Sequence, residues 1–266
     1  MMTSAARRSS LRATTAIPVA IVFVVAVYIL AAFVFGLWPV PHSSMAACPA
    51  TAAAHQVFVD PTASNEHTDN WKREAQGFSE TLGSCDRVSF WLITDNSSSG
   101  AQYGESIVFP LVDANAPMAG IQDVQKRIRE LRSEVRERIV QMTKEQGAKR
   151  SDVVGVFFKL KPAENLRNVL DVFSDGKESS GRINLEDGHA CVNPENVSGL
   201  ADLALRDRPL KSAIAAFQSI EWVVPDGSGK RGCNSRDELQ LFWTEVVARL
   251  AQPGPAPSFR FDTNLF

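Results

Sequence analysis

The chain has 266 residues, of which 44% are apolar and 22% are charged, and these proportions are typical of a globular protein with a buried core. They exclude a wholly disordered chain and a collagen-like fibre. The net charge of −2 argues against a protein that binds nucleic acid by neutralising phosphates, so no nucleic-acid partner is expected.

The first element along the chain is an apolar segment of 23 residues, 16–38, that contains no charged side chain. A helix of this length reaches about 34 Å, at about 1.5 Å per residue, and can cross a hydrocarbon core of about 30 Å. Arginines precede the segment, so the positive-inside rule predicts a cytoplasmic tail at 1–15. The alternative is a cleaved signal peptide, whose apolar region usually has about 7–15 residues. We predict a single-pass membrane protein whose C-terminal domain is extracytoplasmic.

Residues 39–54 are rich in Pro, Ala and Ser and are interpreted as a linker to a globular domain at 55–252. Residues 253–266 begin with a Pro-rich stretch and are interpreted as a loosely ordered C-terminal tail. In a translocated domain, cysteines are expected to form disulfide bonds, and here the spacing leaves all three pairings open. The four cysteines are Cys48, Cys85, Cys191 and Cys233.

Five apolar runs of strand length follow the linker, and Pro110 places one of them at the edge of a sheet. They are at 56–59, 88–94, 106–112, 168–173 and 220–224. Apolar residues spaced by three or four predict helices between them, including a long helical insertion at about 118–147. The predicted helices are at 66–82, 121–145, 151–160 and 196–216, the fourth with a break at Pro209, and a last one begins with a capping box at Ser235. This alternation predicts an α/β domain with a largely parallel sheet that is covered on both faces.

Oxygen-bearing side chains follow several of these strands, where ligands bind in open α/β sheets. They are Asp60, Thr62 and Ser64 after the first strand, Ser151 at the start of a helix, and Asp175 after the fourth strand. Two carboxylates that meet at one edge need a cation or a proton to be tolerated together. Mg²⁺ commonly takes one or two carboxylates, with other oxygens completing six positions. A divalent cation site is predicted here, and the alternative is a set of ordinary turn and cap residues with no bound ion.

A second aspartate-containing stretch competes with the first for this assignment. Residues 95–99 match the pattern D-x-S-x-S more closely than residues 60–64 do. Only a short stretch separates Asp95 from the next predicted strand, however, and a crossover helix does not fit into it. The stretch at 60–64 precedes a predicted helix of suitable length, so Asp60 is preferred and 97–99 is interpreted as a polar turn.

The order of three motifs along the chain resembles that of the von Willebrand factor type A (vWA) domain. The motifs are D-x-T-x-S at 60–64, Ser151-Asp152, and S-D-G at 174–176. The resemblance spans residues 52–252. It implies a Rossmann-like, mostly parallel sheet with an antiparallel edge strand and helices on both faces.

The same resemblance implies that the three motifs form a metal-ion-dependent adhesion site. Asp60, Thr62 and Ser64 correspond to the first metal loop, Ser151 to the second and Asp175 to the third. The ion, Mg²⁺ or Mn²⁺, keeps one open coordination position, which a carboxylate of a partner protein fills. Ser151 stands where Thr is more usual. The long helix before it is an unusual insertion that would shield or extend the binding face.

These observations predict a membrane-anchored, extracytoplasmic domain that binds another protein through a divalent metal and catalyses no reaction. The first alternative is a Mg²⁺-dependent enzyme of Rossmann-like fold, although the sequence contains no G-x-S-x-G motif and no complete phosphate-binding loop. The second alternative is a metal-free assembly component of an envelope complex that uses the 121–145 helix.

Overall fold

A computed structural model of the chain describes residues 48–61, 68–113, 116–145, 150–179, 183–185, 190–209, 211–224 and 233–262. Their strands are β1 (Ala53–Val59), β2 (Arg87–Leu92), β3 (Ile107–Val108), β4 (Arg167–Phe173), β5 (Ser219–Val223) and β6 (Ser258–Asp262). Their α-helices are α1 (Thr68–Thr81), α2 (Met118–Met142), α3 (Val153–Val156), α4 (Val197–Leu205) and α5 (Arg236–Ala251). Two short 3₁₀ helices, Ser97–Ser99 and Ile214–Ala216, complete the described elements.

The six strands form one sheet in the order β3-β2-β1-β4-β5-β6. Each neighbouring pair is parallel except β2 and β3, which are antiparallel. This confirms the predicted mostly parallel α/β sheet with an antiparallel edge strand. The strand order is that of a Rossmann-like sheet, and it reverses between β1 and β4, so a crevice opens there at the carboxyl ends of the strands.

The sheet is covered by helices on both faces because its central strands are apolar on both sides. In β1, Phe58 packs into the core beneath α3, α4 and α5, whereas Val57 and Val59 pack into the core beneath α1 and α2. Every residue of β1 is buried, as expected for a central strand of a doubly covered sheet.

The long predicted helix is confirmed as α2, which packs on its own sheet and against α1. Its buried residues recur every three or four positions, as an amphipathic helix requires. They are Ile128, Leu131, Val135, Ile139 and Met142. The opposite face of α2 is exposed and carries arginine and glutamate side chains, among them the Arg127–Glu130 ion pair at 3.3 Å.

Four predicted elements differ from the structure. The predicted helix at 196–216 is α4, which ends at Leu205, with a separate 3₁₀ helix at Ile214–Ala216, and only Ile107–Val108 of the predicted strand at 106–112 forms β3. The predicted helix at 151–160 is only the short α3, because the apolar run continues into a turn that fills the core with Phe157. The predicted loose tail at 253–266 is wrong for Ser258–Asp262, which forms β6 beside β5. The strand alternates, and Phe259 and Phe261 point to the face where Trp222 lies, with ring centroids 6.1 and 5.4 Å away.

Two disulfide bonds are present, as expected for the four cysteines. Cys48 pairs with Cys85, and this bond ties the chain before β1 to the turn before β2. Cys191 pairs with Cys233, and this bond joins the segment before α4 to the segment before α5. The structure therefore selects one of the three pairings that the spacing allows.

The predicted membrane anchor at 16–38 lies outside the described residues, as do the tail at 1–15 and most of the linker. Within the described ranges, the structure contains no helix that is both long and apolar enough to cross a membrane. The end of the predicted linker, Ala53 and Ala54, belongs to β1, so the domain begins slightly earlier than expected.

Candidate metal centre

Two of the three predicted metal loops meet because β1 and β4 are paired in parallel and end at the same level. Val59 and Phe173 are register partners, and the amide of Asp60 donates to the carbonyl oxygen of Phe173 at 2.9 Å. Asp60 and Ser174 therefore follow the two strand ends side by side. The hydroxyl of Ser174 donates to Oδ2 of Asp60 at 3.0 Å.

The second loop reaches the same carboxylate from the other side. The hydroxyl of Ser151 donates to Oδ1 of Asp60 at 3.1 Å. Backbone contacts fix Ser151, because its amide donates to the Ser179 hydroxyl at 2.8 Å and its carbonyl accepts from the Ser179 amide at 3.0 Å. The loops after β4 and before α3 are thus held together around Asp60.

Asp60 is completely buried, and each of its carboxylate oxygens accepts a hydrogen bond from a neutral hydroxyl group. These two bonds add no positive charge to a carboxylate that is removed from water, where an ionised group is costly. Carboxylate and hydroxyl oxygens are also the hard ligands that Mg²⁺ and Mn²⁺ take. Asp60 and Ser151 therefore fit the first and second ligand positions that the motifs predict.

Asp175 is held differently, by its own loop. Its Oδ1 accepts from the amide of Lys177 at 3.0 Å, and its Oδ2 lies 3.5 Å from the ammonium nitrogen of the same lysine. The side chains of Asp175 and Lys177 are 18% and 6% exposed. The third predicted ligand, Asp175, thus directly follows Ser174 in the chain. Lys177 contacts both of its carboxylate oxygens.

The loop that carries Asp175 is shaped by Gly176 and two tryptophans. Gly176 has a φ of +75°, and a Cβ atom there would lie 3.0 Å from the Phe261 ring and 3.1 Å from the Trp243 indole nitrogen. The Trp243 indole donates to the carbonyl oxygen of Gly176 at 2.8 Å, and the Trp222 indole donates to that of Ser174 at 3.0 Å. Only glycine fits this position without strain.

The other two predicted ligands, Thr62 and Ser64, lie outside the described residues. Among the residues that are described, no cluster of three or more His, Cys, Asp or Glu side chains is placed to hold a metal ion. The predicted centre draws instead on two aspartates and on hydroxyl groups.

Sequence reasoning missed three residues that contact the candidate ligands. Ser174 is part of the S-D-G motif, but the prediction used only its aspartate. Ser179 and Lys177 act through hydrogen bonds to loop atoms, which no spacing rule identifies. The one available signal was the position of Lys177 two residues after Asp175. An aspartate side chain commonly accepts a hydrogen bond from the backbone amide two residues later.

Asp152, which follows Ser151, is a structural residue. It caps α3 by accepting from the amide of Gly155 at 3.0 Å, and it accepts from the amide of Ser97 at 2.9 Å. The guanidinium of Arg208 donates to both of its oxygens, at 3.2 Å for Oδ2. The stretch around Ser97 is thus a turn and a 3₁₀ helix that supports α3, in agreement with the prediction of a polar turn at 97–99.

A third buried aspartate lies in the middle of the sheet. Nδ1 of His55 on β1 is 2.8 Å from Oδ2 of Asp171 on β4. Burial alone would lower the pKa of His55, but the charge and hydrogen bond of Asp171, with a further contribution from Asp86, hold this pKa above its usual 6.5. Glu221 is the register partner of Asp171 on β5, and burial raises its pKa.

No protein-family model matches this chain, and no curated protein matches it. Among solved structures, the chain is similar to an aerotolerance-related membrane protein from Bacteroides fragilis at 12% identity, with a TM-score of 0.31 over 79% of this chain and 92% of that chain. It is also similar to proximal thread matrix protein 1 from the mussel byssus at 9% identity, with a TM-score of 0.28 over 76% of this chain and 49% of that chain. Scores this low carry no argument about the site or the function.

Proposed function

We propose that this chain is a vWA-like protein-binding domain with a divalent metal centre at the carboxyl edge of β1 and β4. The observation that carries the proposal is the buried Asp60 carboxylate, which accepts from the hydroxyl groups of Ser151 and Ser174 where the strand order reverses. Ligands of open α/β sheets bind at that crevice.

Asp60, Thr62, Ser64, Ser151 and Asp175 are the proposed ligands of Mg²⁺ or Mn²⁺. A bound ion would supply positive charge that attracts an acidic group of a partner protein to an open coordination position. The residues of the chain position this charge: Ser174 orients Asp60, and Ser179 orients Ser151. No reaction is proposed, because this role requires binding alone.

The domain is proposed to be presented outside the cytoplasm by the apolar segment at 16–38. The two disulfide bonds support this location, since such bonds form and persist in oxidising compartments. The apolar length and the preceding arginines are the evidence for an N-terminus in the cytoplasm.

Calorimetric titration of the full chain in detergent with MgCl₂ and MnCl₂ tests the metal centre. The parent is expected to bind one ion per chain, and Asp60→Ala is expected to remove that binding. Asp123→Ala is the control, because Asp123 is an exposed carboxylate on α2, outside the candidate metal loops. A folded parent that binds neither ion would contradict metal dependence and favour the metal-free assembly role. Hydrolysis of a phosphoester by the metal-loaded parent would favour the enzyme alternative.

A further inference from the structure

Asp175, the third proposed ligand, forms an ion pair with Lys177. The Lys177 amide donates to Oδ1 of Asp175 at 3.0 Å, and its ammonium nitrogen is 3.5 Å from Oδ2. One residue therefore contacts both oxygens of the carboxylate. Asp60, by contrast, accepts from the neutral hydroxyl groups of Ser151 and Ser174.

The environment of Lys177 makes this pair more than a surface contact. Its side chain is 6% exposed and that of Asp175 is 18% exposed, so water screens the two charges only weakly. A buried ammonium group is costly unless an anion accompanies it, and Asp175 is an anion at ion-pair distance. The lysine and a metal ion would thus require the same carboxylate.

Hydrogen bonds from two tryptophans hold the loop in the arrangement that places Lys177 beside Asp175. The carbonyl oxygens on either side of Asp175, those of Ser174 and Gly176, accept from the indoles of Trp222 and Trp243. The backbone of Asp175 is therefore held from β5 and α5. Side-chain movement can therefore separate its carboxylate from the Lys177 ammonium while the backbone keeps these two hydrogen bonds.

We propose that Lys177 is an internal cation that competes with the divalent ion for Asp175 and sets the metal affinity of the site. This inference rests on the proposed metal centre and states what regulates its affinity for the metal ion. The site binds Mg²⁺ or Mn²⁺ weakly while the ammonium remains on Asp175, and tightly once that charge is removed. Repulsion between the ammonium group and a divalent ion would also weaken metal binding.

The test is a Mn²⁺ titration of the full chain in detergent, with thermal unfolding measured in parallel. Lys177→Met is expected to bind Mn²⁺ about tenfold more tightly than the parent, because one positive charge a few ångströms from the ion is removed. Lys177→Arg keeps the charge and is expected to bind like the parent. Lys72→Met removes an exposed lysine from α1 and is the matched control.

The outcomes separate this inference from the proposed function. Equal Mn²⁺ affinities of parent and Lys177→Met would overturn the inference and leave the metal centre in place. Binding by Lys177→Met alone, removed by a second Asp60→Ala substitution, would support the inference and contradict metal dependence of the parent. Absence of binding in both folded proteins would overturn both. If Lys177→Met does not fold, Lys177→Gln is read in the same way.

Discussion

Asp60 and Asp152 lie at the same edge of the sheet and are both almost completely buried, yet they are held by different donors. Asp152 accepts from two backbone amides and from the guanidinium of Arg208, so its charge is matched within the fold. Asp60 accepts from the hydroxyl groups of two serines. Burial alone therefore does not make a carboxylate a candidate ligand, because Asp152 is as buried as Asp60 and already has a cationic partner in Arg208.

Removing the structural carboxylate is expected to have the largest effect. Asp152→Ala leaves the Arg208 charge and two buried amides without their acceptor, and the free energy of unfolding should fall by about 3–5 kcal/mol. Urea unfolding followed by circular dichroism measures the change. Asp123→Ala, at an exposed position on α2, should change stability by less than about 1 kcal/mol. Similar losses of stability in the two variants would mean that Asp152 contributes no more to the fold than an exposed aspartate does.

The loop beside Asp60 can be tested through its glycine. Gly176→Ala places a Cβ atom at a φ of +75° and against Phe261 and Trp243, and should cost about 1–3 kcal/mol. Gly199→Ala is the matched control, because an added Cβ meets no atom within 4 Å there and the residue lies in α4. That control should stabilise the protein by about 0.5–1 kcal/mol, as measured by chemical unfolding. A stable Gly176→Ala would show that the loop is less constrained than its contacts indicate.

Asp60→Asn separates stability from metal binding. The amide keeps one acceptor oxygen and similar volume, so the loss of stability without metal should be only about 1 kcal/mol. The rise in unfolding temperature that Mn²⁺ is expected to produce in the parent should disappear. Differential scanning calorimetry with and without MnCl₂ gives both quantities. A full Mn²⁺ effect in Asp60→Asn would place the ion elsewhere.

The smallest effect on stability is expected from the pair of Asp171 and His55, because the partner of this carboxylate is an imidazole rather than a guanidinium. Because the folded-state pKa of His55 is raised, its pairing stabilises the protein fully below pH 6.5 and less as the pH rises through the folded-state pKa. The difference in stability between parent and His55→Gln should therefore shrink from pH 6 to more alkaline pH. Urea unfolding across that range measures it, and a constant difference would mean that the pair is not linked to protonation.

Much of the fold could be predicted because apolar residues in this chain follow clear periods. The strand before Asp60 and the stripe on α2 are long enough for their patterns to stand out. β6 was missed because it is a five-residue strand behind a Pro-rich stretch, and its two phenylalanines are recognisable as a strand face only beside Trp222.

Only the backbone arrangement of the candidate site could be predicted from the sequence. Asp60 and Ser174 come together because β1 and β4 are parallel and end at one edge of the sheet, and the motif order reflects that topology. The roles of Lys177 and Ser179 depend on where side chains and amides point after the turn, and sequence spacing does not determine this. Thr62 and Ser64 stay predictions.

The two indole groups that hold the loop around Asp175 also give the protein an optical reporter. Trp222 and Trp243 donate directly to the carbonyl oxygens of Ser174 and Gly176, so their emission depends on the position of that loop. Any ligand that moves the backbone there should change the tryptophan fluorescence without an added label. Occupancy of the strand edge can therefore be followed in the purified, unmodified chain through the two of its five tryptophans that contact this loop.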